Sequence, residues 1–428
     1  MLDFFTSIDD FVWGPPLLVL LVGTGIYLTI RLGLLQIIRL PKAFKLIFAE
    51  DKGEGDISSF AALATALAAT IGTGNIVGVA TAIKTGGPGA LFWMWIAAFF
   101  GMATKYAEGL LAIKFRTLDD QGNVSGGPMY YITHGFSGKW QIIAKPLAYF
   151  FAFAGVLVAW LGIGTFSQVN SITSSLQNSF GWSPKIVSVI LALITAAIIF
   201  GGIQSISKVS EKVVPFMAGL YIIAALIVIF ANFNQLLPVL EMVFQSAFTG
   251  KAAVGGFAGA TVMAAMRLGI ARGVFSNESG LGSAPIAAAA AKTEEPVEQG
   301  LISMTGTFID TIIICTLTGL AILVTGQWSG SLEGAPMTQA AFSSIFGTFG
   351  ELALTLSLVL FAFTTILGWS YYGERCFEFI FKSTKFLSFY RLIFVVMVAL
   401  GGYLTLEVVW KIADIVNGLM ALPNLIAS

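Results

Sequence analysis

Residues 59–83 read SFAALATALAATIGTGNIVGVATAI, and the middle of this run decides the fold. Its flanks are alanine-rich and apolar, as a membrane-spanning helix requires. Its centre, Ala69-Thr70-Ile71-Gly72-Thr73-Gly74-Asn75, is unsuited to a continuous helix. Each of the two glycines lowers helical propensity by about 1 kcal/mol. Unwound backbone inside a bilayer frees amides and carbonyls, which is tolerable only where protein or ions satisfy them. Thr70, Thr73 and Asn75 add side-chain oxygens at the same depth. Oxygen-rich surroundings suit a hard cation. Close helix packing through small residues is the plainer alternative.

A second interrupted run lies at 253–291, AVGGFAGATVMAAMRLGIARGVFSNESGLGSAPIAAAAA. The interruption is expected from about Gly269 through Gly282, with Pro285 restarting the helix where a missing amide is harmless. Asn75-Ile76-Val77-Gly78 in the first run is matched by Asn277-Glu278-Ser279-Gly280 in the second. The second break lies five segments after the first, so the two runs cross in opposite directions. That is the pattern of an inverted repeat with paired discontinuous helices.

The composition agrees with lipid as the outer solvent. Hydrophobic residues make up 57% of the chain and charged residues only 11%, too few to cover a water-exposed surface of this size. The net charge is zero, which gives no basic surface for nucleic acid. Cys315 and Cys376 lie in apolar runs without metal-ligand spacing. The N-terminus, with Asp3, Asp9 and Asp10, lacks the basic region of a signal peptide.

Eleven spanning segments are expected, near 13–36, 59–83, 89–116, 141–178, 184–202, 211–231, 253–291, 299–325, 350–380, 388–403 and 405–425. Most basic residues between segments, from Arg39, Lys42 and Lys45 to Lys382 and Lys385, then fall on one face. Lys84, Lys185 and Lys251 fall on the other. The positive-inside rule places the N-terminus outside and the C-terminus in the cytoplasm of a multi-pass protein of the cell membrane. The stretch 326–347 is polar, external and long for a connector, and either lids an outer vestibule or is a passive loop.

Between the two breaks stands Gly86-Gly87-Pro88-Gly89-Ala90-Leu91-Phe92-Trp93-Met94-Trp95, a tight turn followed by an interfacial aromatic belt. This string strongly resembles the signature of the alanine/glycine:cation symporter family. GTGNIVGVA (72–80), GMATKYAE (101–108), GGPMYYI (126–132) and NESGLGSAPIAAAAA (277–291) carry the resemblance further.

The family belongs to the leucine-transporter-fold superfamily. The resemblance therefore implies an all-α core of five plus five inverted helices, the first and sixth broken, with substrate and sodium near the midplane. The expected division is 1–57 for the external N-terminus, a peripheral first helix and a cytoplasmic loop, then repeats at 58–240 and 241–428. It also implies a sodium ion held by the carbonyls of Ala68 and Ile71 and the hydroxyls of Thr364 and Thr365. Substrate contacts are expected from Thr70, Thr73, Gly74 and Asn75 at the first break, Gln168 on the fourth segment, and Gly273, Phe275 and Ser276 at the second break. Trp369 would close the pocket, with packing toward lipid as its alternative.

Ionisable residues inside spanning segments are functional by default. Arg272 and Glu278 are expected to gate, to neutralise each other or to bond freed carbonyls, with Arg267 nearby. Lys105 and Glu108, one turn apart, are expected to pair locally or snorkel. Asp310 is either a packing partner or a proton site, and His134 reads as ordinary surface.

Sodium-coupled uptake of a small neutral amino acid, alanine or glycine, is the function this implies. Proton coupling through Glu278, Glu108 or Asp310 is the alternative, and an ion channel a more distant one. No nucleotide-binding motif, catalytic triad or metal cluster appears in the sequence, so neither a primary pump nor an enzyme is expected. No organic cofactor and no obligate protein partner are expected.

Overall fold

Ser58 opens the first interrupted helix in a computed structural model that describes residues 2–51, 53–249, 262–403 and 406–428. Its hydroxyl accepts the amide of Ala61 at 3.0 Å, a side-chain cap. In chain order the helices begin with α1 (Leu2–Val12), α2 (Pro15–Arg31), α3 (Leu35–Ile38) and α4 (Leu40–Leu46). The first interrupted pair is α5 (Ser59–Thr70) and α6 (Val79–Gly86), joined by a π-helical turn at Gly74–Gly78. Then come α7 (Gly89–Lys114), a short hairpin of β1 (Thr117–Leu118) and β2 (Val124–Ser125), α8 (Pro128–Gly135), α9 (Gln141–Leu161), α10 (Phe166–Phe180), α11 (Pro184–Ile199), α12 (Gly202–Ala231) and α13 (Phe233–Thr249). The second interrupted pair is α14 (Val262–Asn277) and α15 (Ala284–Ala288). It is followed by α16 (Pro296–Thr307), a π-helical stretch at Phe308–Cys315, α17 (Thr316–Val324), α18 (Gly334–Phe346), α19 (Thr348–Phe381), α20 (Leu387–Leu400) and α21 (Leu406–Ala427). Pro15, Pro184, Pro285 and Pro296 stand in the first turns of α2, α11, α15 and α16, where no amide is needed.

The two interrupted helices lie antiparallel against each other. Ile57 bridges to Ala291, Gly74 touches Ser276, and Gly86 touches Ala265, so partner numbers fall as the first set rises. Around this pair, α7 packs on α14 and α16, α12 and α19 pack on α5, and α9 packs on α19. α2 lies outside, one face on α7 and the other exposing Val19, Tyr27 and Ile30, as expected of a peripheral helix.

Among the described residues, six helices or helix pairs are long and apolar enough to cross a membrane, and α5–α6, bent by 51°, makes a seventh. The other expected segments fall on the shorter apolar stretches Pro15–Arg31, Pro184–Ile199 and Ala413–Ala427, and on α14–α15. The expected beginning of that last segment, 253–261, lies outside the described residues.

Three features differ from expectation. The second break is shorter than Gly269–Gly282, because α14 stays helical through Asn277. A Cβ at Gly269 would meet Trp93 Cβ at 2.7 Å, so this glycine serves close packing on α7 rather than unwinding. The segment expected at 141–178 is itself broken between α9 and α10, at Gly162-Ile163-Gly164-Thr165. The stretch 326–347, expected as a lid or a passive loop, is largely helical: α18 sits on the first break, where Thr338 Oγ1 donates to Ile76 O at 3.5 Å, and Lys84 Nζ donates to Gly330 O.

Candidate functional site

At Ile71 the backbone leaves helical geometry (φ −73°, ψ 90°). The amide of Gly72, which in a continuous helix would close a turn on Ala68, donates instead to Asn75 Oδ1 at 2.9 Å. The next amide, Thr73 N, donates to Gln168 Oε1 at 3.3 Å. Gln168 reaches this point because the Gly162–Thr165 break re-aims α10. A Cβ at Gly164 would meet Trp369 Cβ at 2.8 Å, so glycine lets α19 approach there. Thr73 Oγ1 is buried and has no hydrogen-bond partner.

Thr365 Oγ1 lies 3.5 Å from Ile71 O and 3.0 Å from Phe361 O. A Cβ at Gly72 would stand 2.5 Å from the same hydroxyl. Thr364 Oγ1 donates to the same Phe361 O at 3.0 Å and lies 3.6 Å from Met217 Sδ on α12. Both expected hydroxyls thus bond the Phe361 carbonyl, and Thr365 also lies against Ile71 O. Thr70 Oγ1 back-bonds to Ala66 O at 3.2 Å.

The second break is held from both ends by α7. Lys105 Nζ donates to Asn277 O at 3.0 Å and Glu278 O at 3.1 Å, the carbonyl end of α14. Glu108 Oε1 accepts Gly280 N at 3.1 Å, Gly282 N at 3.2 Å and Asn424 Nδ2 at 2.6 Å, the amides leading into α15. Positive charge thus meets carbonyls and negative charge meets amides, each complementing the local backbone dipole. Both side chains are buried, so they neither snorkel nor simply pair with each other. Glu278 itself has φ +56°, the left-handed region. Its carboxylate accepts Trp369 Nε1 at 2.9 Å and the hydroxyl of Ser283. Trp369 is completely buried, which excludes packing toward lipid. Arg272 does not neutralise Glu278; it forms a two-pronged ion pair with Asp414 on α21, at 3.0 and 2.9 Å, and lies 5.4 Å from the ring centre of Phe275.

One carboxylate joins the two breaks. Asp310 Oδ1 accepts Asn75 Nδ2 at 2.7 Å, and Oδ2 accepts Ser276 Oγ at 2.9 Å and Thr311 Oγ1 at 2.7 Å. Asn277 Nδ2 donates to Thr311 Oγ1 at 3.0 Å. Asp310 sits on the π-helical stretch, whose wider turn marks functional positions in many helices.

Of the expected site residues, Ile71, Thr73, Gly74, Gln168, Ser276 and Thr365 are therefore brought to one place. Asn75 is committed to Gly72 and Asp310, and Trp369 to Glu278. Gly273 faces α7, where a Cβ would lie 3.4 Å from Met94 Cα. Sequence reasoning missed the staples Lys105, Glu108 and Asn424 and the third break. The signals were present: charged residues within a spanning segment, and a Gly-x-Gly at 162–164 like that at 72–74.

A family model described as the sodium:alanine symporter family matches residues 1–428. The sodium/alanine symporter AgcS of Methanococcus maripaludis is 52% identical, over 98% of this chain and 92% of its own length. An uncharacterized transporter of Haemophilus influenzae is 55% identical, over 99% and 92%. The probable sodium/glutamine symporter GlnT of Bacillus subtilis is 40% identical, over 98% and 86%. Among solved structures, a Na+-coupled sialic acid symporter in a substrate-bound outward-open state superposes with a TM-score of 0.54 at 13% identity, over 95% of this chain and 82% of that one. A manganese transporter of Eremococcus coleocola gives 0.55 at 12%, over 88% and 79%. At such identities the likeness speaks for the fold alone, and it agrees with the leucine-transporter type that the family resemblance implies. Two antiparallel broken helices, the matched signature strings and a match that runs from end to end make one argument: this chain belongs to the sodium:alanine symporter family.

Proposed function

We propose that this protein carries a small neutral amino acid, alanine or glycine, into the cell together with sodium by alternating access. The observation that carries this is the first break, where the amide of Thr73 and its unpartnered hydroxyl face Gln168 beside the second break. A substrate carboxylate is suited to the amides of Thr73 and Gly74 at the start of a half-helix. In this reading Gln168 then moves from the Thr73 amide to the substrate's polar end. Ser276 and Phe275 form the opposite wall, and Trp369, fixed by Glu278, limits the side chain to about a methyl group.

Sodium is proposed to lie between α5 and α19, on the carbonyls of Ala68 and Ile71 and the hydroxyl of Thr365. Thr364 joins only after rotating away from Met217. Ion and substrate then favour the same arrangement of the first break, and by linkage each raises the other's affinity. The family and the relatives named above are transporters rather than enzymes.

The test is purified protein in liposomes with labelled alanine. Accumulation driven by an inward sodium gradient, and absent with a proton gradient or none, is the expected result. Accumulation under the proton gradient alone overturns sodium coupling. A second reading rests on Asp310, a buried carboxylate bonded to both breaks, which gives a proton route a place to act. Asp310→Asn that abolishes proton-driven but keeps sodium-driven uptake would favour it.

A further inference from the structure

A cavity of about 550 Å³ opens at one end of the bundle, away from the two breaks. It is enclosed by the β1–β2 hairpin, α8, the start of α9 and the end of α19, and no residue of α5–α6 or α14–α15 lines it. Its walls differ in chemistry. The deep wall is acidic. Glu378 is buried, and Asp119 has a side chain only 1% exposed. Arg375 Nη1 lies 2.7 Å from Glu378 and 3.3 Å from Asp119. Arg375 also pairs with Glu374, which in turn holds Arg391. Three carboxylates therefore share two guanidiniums, and Asp120 on the cavity wall adds a further negative charge. Burial works to raise the Asp119 carboxyl, but hydrogen bonds from Asn123 and Gln121 and the charge of Arg375 outweigh it and hold it below the usual aspartate range. Asp119 thus stays anionic.

The rim is basic: His134, Lys145 and Lys382 are exposed there. A third side is aromatic, with the ring of Phe379 5.3 Å from those of both Tyr130 and Tyr149. Beyond the rim, Phe150 and Phe153 of α9 and Phe381 of α19 are exposed. Both helices are among those long and apolar enough to cross a membrane, so these rings face lipid.

Acid within, base at the mouth and apolar rings outside match one molecule end to end. We infer that this cavity binds the head group of a phospholipid bearing a primary amine, phosphatidylethanolamine. Its ammonium faces Glu378, Asp119 and Asp120, its phosphate lies beside Lys145 and Lys382, and its acyl chains run along Phe150 and Phe153. A primary ammonium offers three N–H donors to share among carboxylate oxygens that Arg375 already engages. A choline head offers none, and a glycerol head brings only negative charge to an acidic wall. The lipid would join α9 to α19. α19 carries Thr365, and α9 continues through its break into the helix that carries Gln168, so the lipid would brace both elements from the membrane side.

The experiment is native mass spectrometry of the full chain in micelles, titrated with phosphatidylethanolamine, its mono-, di- and trimethylated forms, and phosphatidylglycerol of the same acyl chains. Retention of phosphatidylethanolamine at a concentration at least tenfold below the choline and glycerol lipids is expected, falling stepwise with each added methyl. Lys145→Ala combined with Lys382→Ala should reduce retention about fivefold with alanine binding unchanged, which also reports that the variant is folded. Should the variant not fold, the methylation series on the wild type decides alone. Equal retention of phosphatidylglycerol, or no dependence on methylation, overturns the proposal. So does displacement of the lipid by millimolar alanine or inorganic phosphate, which would make the occupant a soluble zwitterion or anion.

Discussion

Gly72 stands where the proposed sodium and substrate sites would meet, and it has no room for a side chain. A methyl group there would sit 2.5 Å from Thr365 Oγ1. Gly72→Ala is expected to weaken sodium-dependent alanine binding tenfold or more, read by titrating sodium at fixed alanine. Thr365→Val keeps volume and removes the oxygen nearest Ile71 O. One lost polar interaction of about 1–1.5 kcal/mol corresponds to roughly a tenfold rise in the sodium needed. Thr364→Val, whose hydroxyl faces Met217, should shift the same titration about threefold at most. Equal shifts from the two variants would make Thr364 a ligand on a par with Thr365, and no shift from Thr365→Val would put the ion elsewhere. At this scale the sequence reveals residue types more readily than directions. Gly, Thr and Asn at 72–75 announce a break, but Asn75 spends its amide on Asp310, 235 positions away, and no local pattern records that partner.

Elements read more clearly from the sequence than side chains do, and their errors have a common origin. A glycine in a spanning helix either loosens the backbone or lets a neighbour in. Gly269 does the second, so α14 continues through it; Gly162 and Gly164 accompany a true interruption. Only the packing partner separates the two uses. The signature string is explained at the same scale. A Cβ at Gly89 would stand 2.5 Å from Ala247 N, and Trp93 Nε1 donates to Ala247 O at 3.2 Å, so the turn and the aromatic belt seat α13 on α7. α7 also carries the two staples of the second break. Glu108→Ala should leave the amides of Gly280 and Gly282 and the side chain of Asn424 short of an acceptor, at about 1–3 kcal/mol for a buried unsatisfied group. A marked drop in thermal midpoint in detergent is expected, with Glu108→Gln, which keeps an acceptor oxygen, falling much less. If the alanine variant melts with the wild type, Glu108 does not support the break.

For the whole molecule, the packing of α18 on the first break sets one expectation and the proposed orientation another. Gly334 approaches Val77 closely enough for a Cβ to lie 3.4 Å from Val77 Cγ1. If α18 is a lid that must leave the first break for substrate to pass, Val77→Cys with Gly334→Cys, oxidised, should arrest transport, and reductant should restore it. Cys315 and Cys376 are buried and should not compete. Uninterrupted transport with the bond formed would show that α18 does not gate. For orientation, an impermeant thiol reagent added outside intact cells should label Ser331→Cys and spare Lys382→Cys; the reverse pattern inverts the topology. The antiparallel pairing of the two broken helices has a consequence for biosynthesis. Lys105 waits for a carbonyl 172 residues downstream, Asn75 for a carboxylate 235 downstream and Glu108 for an amide 316 downstream. At about 5–20 residues per second, the ribosome needs roughly ten seconds to a minute to deliver them. Through that interval the amino-terminal half holds a buried lysine, a buried glutamate and an unwound helix with no native partner. Those groups must be shielded by water, the insertion machinery or one another, so the first half of the nascent chain is not a finished membrane domain until the second half is threaded back along it.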